Sequence, residues 1–168
     1  MLVALYIGNH SGDTLLVRLG WAATRLVQRG KYRRVTHTEM ILERHPDGTV
    51  DIGSSTLRRE NNGRNGVRIK ERVTLKPGNW LIADVPMWDA VWSRVWFEAN
   101  KGKPYDKRGA VGTAIPFVGH NPDAEFCNGA DGASVGLEAA HTFGPAQFAA
   151  VCFTFGRDVT EEFFTERA

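Results

Sequence analysis

The stretch EFCNGAD at residues 125–131 places a thiol at the predicted start of a helix. The aromatic Phe126 precedes Cys127, and the residues that follow are small or polar. A thiol is a nucleophile only when it is ionised, and the positive end of a helix dipole favours the ionised form. Cys127 is therefore the candidate nucleophile, and it needs a base nearby. We predict the helix over 126–137 and expect Asp123 to cap it.

A histidine and a glutamate share one face of a predicted strand far upstream. The run from Val35 to Glu43 alternates, so His37 and Glu39 point to one face and Thr38 to the other. Two polar side chains on one strand face are natural for a cleft and odd for a core. His37 is the candidate general base, and a third polar group must orient its ring. Glu39 is one candidate for that group.

A hairpin brings two more polar residues toward the histidine. The turn at 46–48 (Pro-Asp-Gly) joins the histidine strand to a returning partner over Thr49–Ser55. We expect this pairing to carry Asp51 and Ser54 toward the histidine. The sequence alone does not decide whether Glu39, Asp51 or Ser54 orients the His37 ring.

The remaining pattern predicts one α+β domain over residues 1–168, an antiparallel sheet or small barrel flanked by helices. Further strands are expected over Leu2–Ile7, Gly66–Lys70, Trp80–Val85 and Val151–Phe155. Helices are expected between Ser11 and Gly30, from Pro86 to Ala99, and briefly from Pro145, with a loop over 109–124.

Composition is typical of a globular protein, with 42% apolar and 24% charged residues. No apolar run approaches the roughly 18 residues that a membrane helix needs. The apolar start, Met1 to Ile7, lacks the basic region of a signal peptide and reads as a strand. Cys127 and Cys152 do not form a disulfide framework, which indicates a reducing compartment or a use for a thiol. Cys152, in an apolar run, is expected to be an inert core residue.

Residues 18–76 carry 14 basic and 6 acidic side chains, whereas the remainder is net acidic. A basic half suits an anionic partner. However, aromatic residues are not interleaved with the basic ones, as a platform for single-stranded nucleic acid requires, so we expect no nucleic-acid binding. No metal or other cofactor is expected, because the other histidines have no recognised ligand spacing relative to His37 and Glu39. They are His10, His45, His120 and His141.

Seven short stretches occur in an informative order. They are Thr36-His37-Thr38-Glu39, Gly53-Ser54-Ser55, Gly66-Val67-Arg68-Ile69-Lys70, Trp80, Gly102-Lys103-Pro104-Tyr105-Asp106, Phe126-Cys127 and Gly144-Pro145. In this order they resemble the permuted papain-like cysteine hydrolases, the circularly rearranged NlpC-type family, in the small form that bacteriophages encode. The resemblance runs from Leu5 to about Val151, and it lies in the order and spacing of the motifs.

The resemblance implies a papain-like fold in which Cys127 is the nucleophile and His37 the general base. It points to the third polar group in the region Asp51–Ser54, with Glu39 as a recurrent companion in the phage-type proteins. The implied substrates are amides or esters, such as the peptide links of peptidoglycan or lipid acyl groups. The implied location is the cytoplasm or, for a phage protein, the virion.

The same resemblance assigns Tyr105 and Asp106 to the loop beside the cleft. One departure concerns the residues after the cysteine, where relatives commonly have serine and glutamate and this chain has Asn128-Gly129. Three glycines fall in the predicted helix, and each costs roughly 1 kcal/mol relative to alanine. The helix must therefore be held by packing or be shorter than predicted. The alternative function is a non-catalytic virion or assembly module on the same fold.

Overall fold

The strands form one open antiparallel sheet. The computed structural model describes residues 1–8, 22, 24–26, 28–57, 65–113 and 119–166. The strands are β1 (Leu2–Tyr6), β2 (His37–Arg44), β3 (Val50–Thr56), β4 (Gly66–Val73), β5 (Trp80–Asp84) and β6 (Arg157–Asp158). They lie in the order β4-β3-β2-β1-β5-β6, and every neighbouring pair is antiparallel. The sheet is open, so of the two predicted forms the antiparallel sheet is confirmed and the small barrel is not.

Helices complete the predicted α+β class. Among the described residues they include α1 (Ala90–Ala99), α2 (Lys107–Gly112), α3 (Cys127–Ser134), α4 (Pro145–Phe155) and α5 (Thr160–Thr165), with a 3₁₀ turn at Ala140–Thr142. No helix among the described residues combines the length and the apolar character needed to cross a membrane. The helix predicted between Ser11 and Gly30 lies largely outside the described residues.

Capping decides where two helices begin, and it corrects two predictions. The helix expected from Pro86 begins at Ala90 because the Asp89 side chain accepts from the amides that follow it. Residues 109–112, expected as the start of a loop, lie in helix α2 because Asp106 accepts from the amide of Gly109 at 2.9 Å. Helix α3, in contrast, has no side-chain cap, so the expectation for Asp123 is wrong.

The stretch Val151–Phe155, expected as a closing strand, continues α4 to its end. Pro145 occupies the first helical position after Gly144, where its missing amide hydrogen costs nothing. The buried face of α4 includes Phe148 and Cys152, so Cys152 is a core residue as expected. The last strand is instead the two-residue β6.

Both faces of the sheet are covered by apolar side chains. Helices α1, α3 and α4 cover one face of the sheet, and the core there is called the helix-side core. Met40 and Leu42 lie in this core, and Ile41 lies in the core on the opposite face, which confirms the predicted alternation along β2. The helix-side core includes Val3, Leu5, Val67, Phe97, Ala130 and Phe148. The opposite core includes Ala4, Val50, Ile52, Leu75, Ile82 and Phe163.

Packing holds the short, glycine-rich helix α3. Seven of its eight residues are buried. Gly132 allows close approach of the 3₁₀ turn, since a Cβ there would lie 2.6 Å from the Cβ of Ala140. The hydroxyls of Ser134 and Ser93 are 2.6 Å apart and join α3 to α1. The helix ends at Ser134 and not at 137, so it is both packed and shorter than predicted.

Gly53 on β3 provides a test of the contact between the sheet and α1. A Cβ at Gly53 would lie 2.4 Å from ring atoms of Phe97, which is fully buried. We expect Gly53→Ala to lower the free energy of unfolding by about 1–3 kcal/mol, measured by urea denaturation. The control is Gly119→Ala, where no atom of the described residues lies within 4 Å of the added Cβ. Equal losses in the two variants would contradict this packing.

Candidate functional site

Cys127 is the first residue of α3, and its side chain is turned toward the sheet. Cys127 is 4% exposed. The thiol donates to Oδ1 of Asn128 at 3.1 Å. The sulfur also accepts hydrogen bonds from the backbone amide and the hydroxyl of Thr38 on β2. The predicted nucleophile therefore lies against the backbone of the histidine strand, one residue along from His37.

The segment before the cysteine is fixed by the predicted glycine-proline-tyrosine-aspartate motif. Tyr105 and Glu125 form a parallel bridge, and the amide of Asp106 donates to the carbonyl of Glu125 at 3.1 Å. The Ser55 hydroxyl donates to the same carbonyl at 2.6 Å. Burial, followed by the nearby Cys127, raises the pKa of Tyr105 well above its usual value. Tyr105 and Asp106 thus position the chain at the start of α3.

His37 and Glu39 form a buried pair at the start of β2. Nε2 of His37 lies 3.2 Å from Oε1 of Glu39. The same oxygen accepts from the Ser54 hydroxyl at 2.8 Å and from the Lys70 ammonium. Burial raises the pKa of Glu39, but Lys70 and then His37 lower it by more, so the carboxyl is ionised. An ionised carboxylate on Nε2 orients the imidazole and stabilises its protonated form.

The predicted base and nucleophile approach β2 from opposite faces. Thr38 pairs in register with Leu5 and its hydroxyl bonds Asp131 of α3, so it faces the helices. His37 and Glu39 face the other way, where they line a cavity of about 260 Å³ with Lys70. The strand geometry alone therefore does not bring His37 and Cys127 into one cleft, although the sequence predicted that they meet there. The Cys127 sulfur instead contacts the backbone of Thr38, the residue next to His37.

The pairing of β2 changes at this point. The register of β2 with β3 runs from Arg44 and Val50 to Met40 and Gly53, whereas β3 continues to Thr56 with β4. The end of β2 that carries His37 is therefore paired in register with β1 alone among the described strands. The sulfur of Cys127 lies beside the Thr38 amide in this part of the strand.

Asp51 is not part of this group, which corrects one prediction. The hairpin register sets Asp51 opposite Glu43, toward the turn. Its carboxylate accepts from His45 Nε2 and from Arg94, both at 2.8 Å. Burial raises its pKa, but the hydrogen bonds from His45 and Arg94 lower it to about 2. Of the two hairpin candidates, only Ser54 reaches the pair, and it does so through Glu39.

A metal site at His37 is not formed by the described histidines. The ligand atoms of Glu43, His45 and Asp51 lie within 4.8 Å of one another, but Arg94 bonds both carboxylates and already supplies a cation there. The rings of His120 and His141 stack on each other with their centroids 4.0 Å apart.

The thiol rests in its protonated form in this structure. Burial, followed by the charge of Asp131, raises the pKa of Cys127 to about 12 despite the hydrogen bonds from Thr38. Burial also raises the pKa of Asp131 well above 3.8. Two acids one helical turn apart thus share a buried environment in which either negative charge opposes the other.

Sequence reasoning did not assign roles to four residues of this site. Asn128 binds the thiol and also donates to the carbonyl of Phe143, so the departure at this position has a structural use. Asp131 could have been found, since it follows Cys127 by four positions and shares its helix face. Thr38 follows from the strand alternation once α3 is placed on that side. Lys70 depends on the order and register of the sheet, which the sequence does not state.

No protein-family model, no curated protein and no solved structure matches this chain. The site comprises an oriented imidazole, a buried thiol at a helix start and a buried carboxyl one helical turn further along the same helix.

The buried carboxyl makes stability depend on pH. Because the pKa of Asp131 is raised in the folded state, the native protein keeps a proton that the unfolded chain releases above pH 3.8. Relative to Asp131→Asn, the native protein should lose up to about 1.4 kcal/mol of stability per pH unit from that value up to the folded pKa. Urea denaturation from about pH 4 to about pH 7 measures this difference.

The matched control for this prediction is Asp123→Asn, because Asp123 is exposed. Its stability should follow the native protein at every pH. If the curves of native protein and Asp131→Asn run parallel, Asp131 does not titrate as a buried acid.

Proposed function

We propose that the protein is a cysteine hydrolase in which Cys127 attacks an amide or ester carbonyl and His37 acts as the base. One observation carries the proposal. The Cys127 sulfur accepts a hydrogen bond from the backbone amide of Thr38. The preceding residue is His37, whose Nε2 is hydrogen-bonded to the ionised Glu39. Glu39 then takes the orienting role, with Ser54 and Lys70 fixing its carboxylate. The papain-like, permuted NlpC-type fold belongs to the same proposal and is supported by the order of the sequence motifs.

The reaction starts with a thiol and not with a preformed ion pair, since the buried thiol is protonated. Because Nε2 faces Glu39, proton exchange with the sulfur uses Nδ1 of His37. This step requires the ring to approach the sulfur past the end of β2, where β3 has departed from the register. Catalytic contacts are often longer in unliganded proteins and shorten when substrate is bound.

The covalent steps then balance. The thiol proton of Cys127 passes to His37 as the sulfur attacks the carbonyl carbon, and His37 returns that proton to the departing amine or alcohol. The product of this half-reaction is a thioester on Cys127. Water then attacks the thioester and gives a proton to His37, which passes it to the sulfur as the carboxylic acid leaves.

The start of α3 supplies a place for the developing oxyanion. The helix has no side-chain cap, so the first amides, including that of Cys127, are not used by a capping side chain. These amides and the helix dipole favour negative charge at that end. The substrates proposed are peptide amides, such as the cross-links of peptidoglycan, or acyl esters, with a cytoplasmic or virion location.

A non-catalytic module on the same fold is the second candidate, and the opposed faces favour it. The thiol is buried and bonded to Asn128, while His37 lines a cavity on the other side of β2. In that case Cys127 and Asn128 would serve to fix α3 to the sheet. The protein would then act through its surface, as an assembly or virion component.

Acyl transfer from an activated ester distinguishes these candidates. With p-nitrophenyl acetate, the hydrolase should release a burst of nitrophenol and acetylate Cys127, detected by peptide mass spectrometry. Cys127→Ala should abolish the burst, and His37→Gln should slow it by about 100-fold or more, because the base is lost. Cys152→Ala is the control, since that thiol is buried in α4 and should leave the burst unchanged.

Two results would contradict the hydrolase. One is acetylation of Cys127 at the native rate in His37→Gln. The other is native protein that forms no acetyl adduct while a thiol in the urea-unfolded chain does, which would favour the module.

A further inference from the structure

One hydroxyl lies between the two buried acids of the site. The Thr38 Oγ1 is 2.5 Å from Oδ2 of Asp131. The same hydroxyl is a hydrogen-bond partner of the Cys127 sulfur. Thr38 is fully buried, and so is Asp131.

A hydroxyl has one hydrogen to donate, so it cannot donate to both neighbours at once. If Asp131 is ionised, the Thr38 hydrogen is drawn to the carboxylate and the sulfur loses that donor. If Asp131 is protonated, the carboxyl donates to Oγ1 of Thr38, and the Thr38 hydrogen is released for the sulfur. The protonation of Asp131 therefore selects which neighbour the hydroxyl serves.

The surroundings of Asp131 favour the protonated form. Asp131 has no exposed surface, and its Oδ1 has no hydrogen-bond partner among the described residues. An ionised carboxylate with one unpaired oxygen in a buried site costs several kcal/mol, which a carboxylic acid avoids by keeping its proton. The raised pKa of Asp131, caused first by burial, agrees with this geometry.

We propose that Asp131 is a positioning residue that keeps its proton and uses it to donate a hydrogen bond to Oγ1 of Thr38. This bond turns the hydrogen of the Thr38 hydroxyl toward the Cys127 sulfur. A thiolate at Cys127 would then accept from both the amide and the hydroxyl of Thr38. This inference concerns the same site and depends on the proposed hydrolase only for its consequence in catalysis. The hydrogen-bond arrangement itself can be measured without any substrate.

Other titratable groups face this pair from each packed side. Glu39 of β2 raises the pKa of Asp131, and Lys70 of β4 lowers it. Tyr105 lies near Cys127, and Cys152 of α4 lies near Asp131. On the 3₁₀ turn, His141 stacks on His120. Burial raises the pKa of Tyr105 and of Cys152, which keeps both groups neutral at neutral pH.

The test is the rate at which iodoacetamide alkylates Cys127 from about pH 6 to about pH 10, followed by peptide mass spectrometry. Thr38→Val keeps the side-chain shape but removes the donor, so the rate should fall about tenfold or more. Thr38→Ser should retain the native rate, because it keeps the hydroxyl. Cys152 in the same chain is the internal control, since its alkylation reports opening of the core.

Asp131→Asn tests the role of the proton. Its amide donates to Thr38 as the protonated carboxyl does, so the variant should match the native rate near pH 6. Its rate should then rise tenfold per pH unit, while the native rate falls behind once Asp131 ionises. At any pH at which Asp131 is still protonated, the double variant Thr38→Val with Asp131→Asn should be alkylated at the same rate as Thr38→Val alone.

The proposal is overturned if Thr38→Val alkylates at the native rate while Cys152 stays protected. It is also overturned if Asp131→Asn alkylates about tenfold or more faster than the native protein already at about pH 6, because Asp131 would then be ionised at that pH. Failure of the hydrolase gives a different pattern, in which these alkylation results stand but His37→Gln leaves acetylation of Cys127 unchanged.

Discussion

Strand β2 is buried on both faces at its start, and three of its first six residues are polar. From His37 to Leu42 every side chain is buried. Buried polar groups must find hydrogen-bond partners, because an unpaired one costs about 1–3 kcal/mol. Glu39 finds Ser54 and Lys70 on one face, and Thr38 finds Asp131 on the other.

This requirement connects the sheet to the site. The partners of Glu39 come from β3 and β4, so the sheet order that buries the opposite core also fixes the imidazole of His37. The partner of Thr38 comes from α3, so the same helix that fills the helix-side core carries Cys127 to the strand. Stability and candidate chemistry therefore depend on the same strand.

The sequence predicted what depends on local periodicity and missed what depends on register. Alternation along β2 was confirmed, because strand side chains repeat every two residues whatever the partner. Asp51 was wrongly brought toward His37, although a turn at 46–48 pairs Asp51 with Glu43. The run Val151–Phe155 has strand-forming residues, but the helix begun at Pro145 continues through it, because packing against the core outweighs propensity.

The candidate site was predicted in its members more than in its arrangement. Cys127 at a helix start and the pair of His37 with Glu39 are as the sequence indicated. The face of β2 that the thiol contacts depends on where α3 packs, and tertiary contacts, not the local sequence, decide that position. Burial raises the energy of a thiolate at Cys127, so the site as it stands favours transfer of the thiol proton during the reaction over a stable ion pair.

The most direct measurement is an experimental structure of the protein with an acyl group trapped on Cys127 by an activated ester. The hydrolase proposal predicts that Nδ1 of His37 lies within about 3.5 Å of the thioester sulfur or of the water that attacks it, with Nε2 still on Glu39. A trapped thioester with the His37 ring still confined to the far face of β2 would contradict the proposal that His37 is the base.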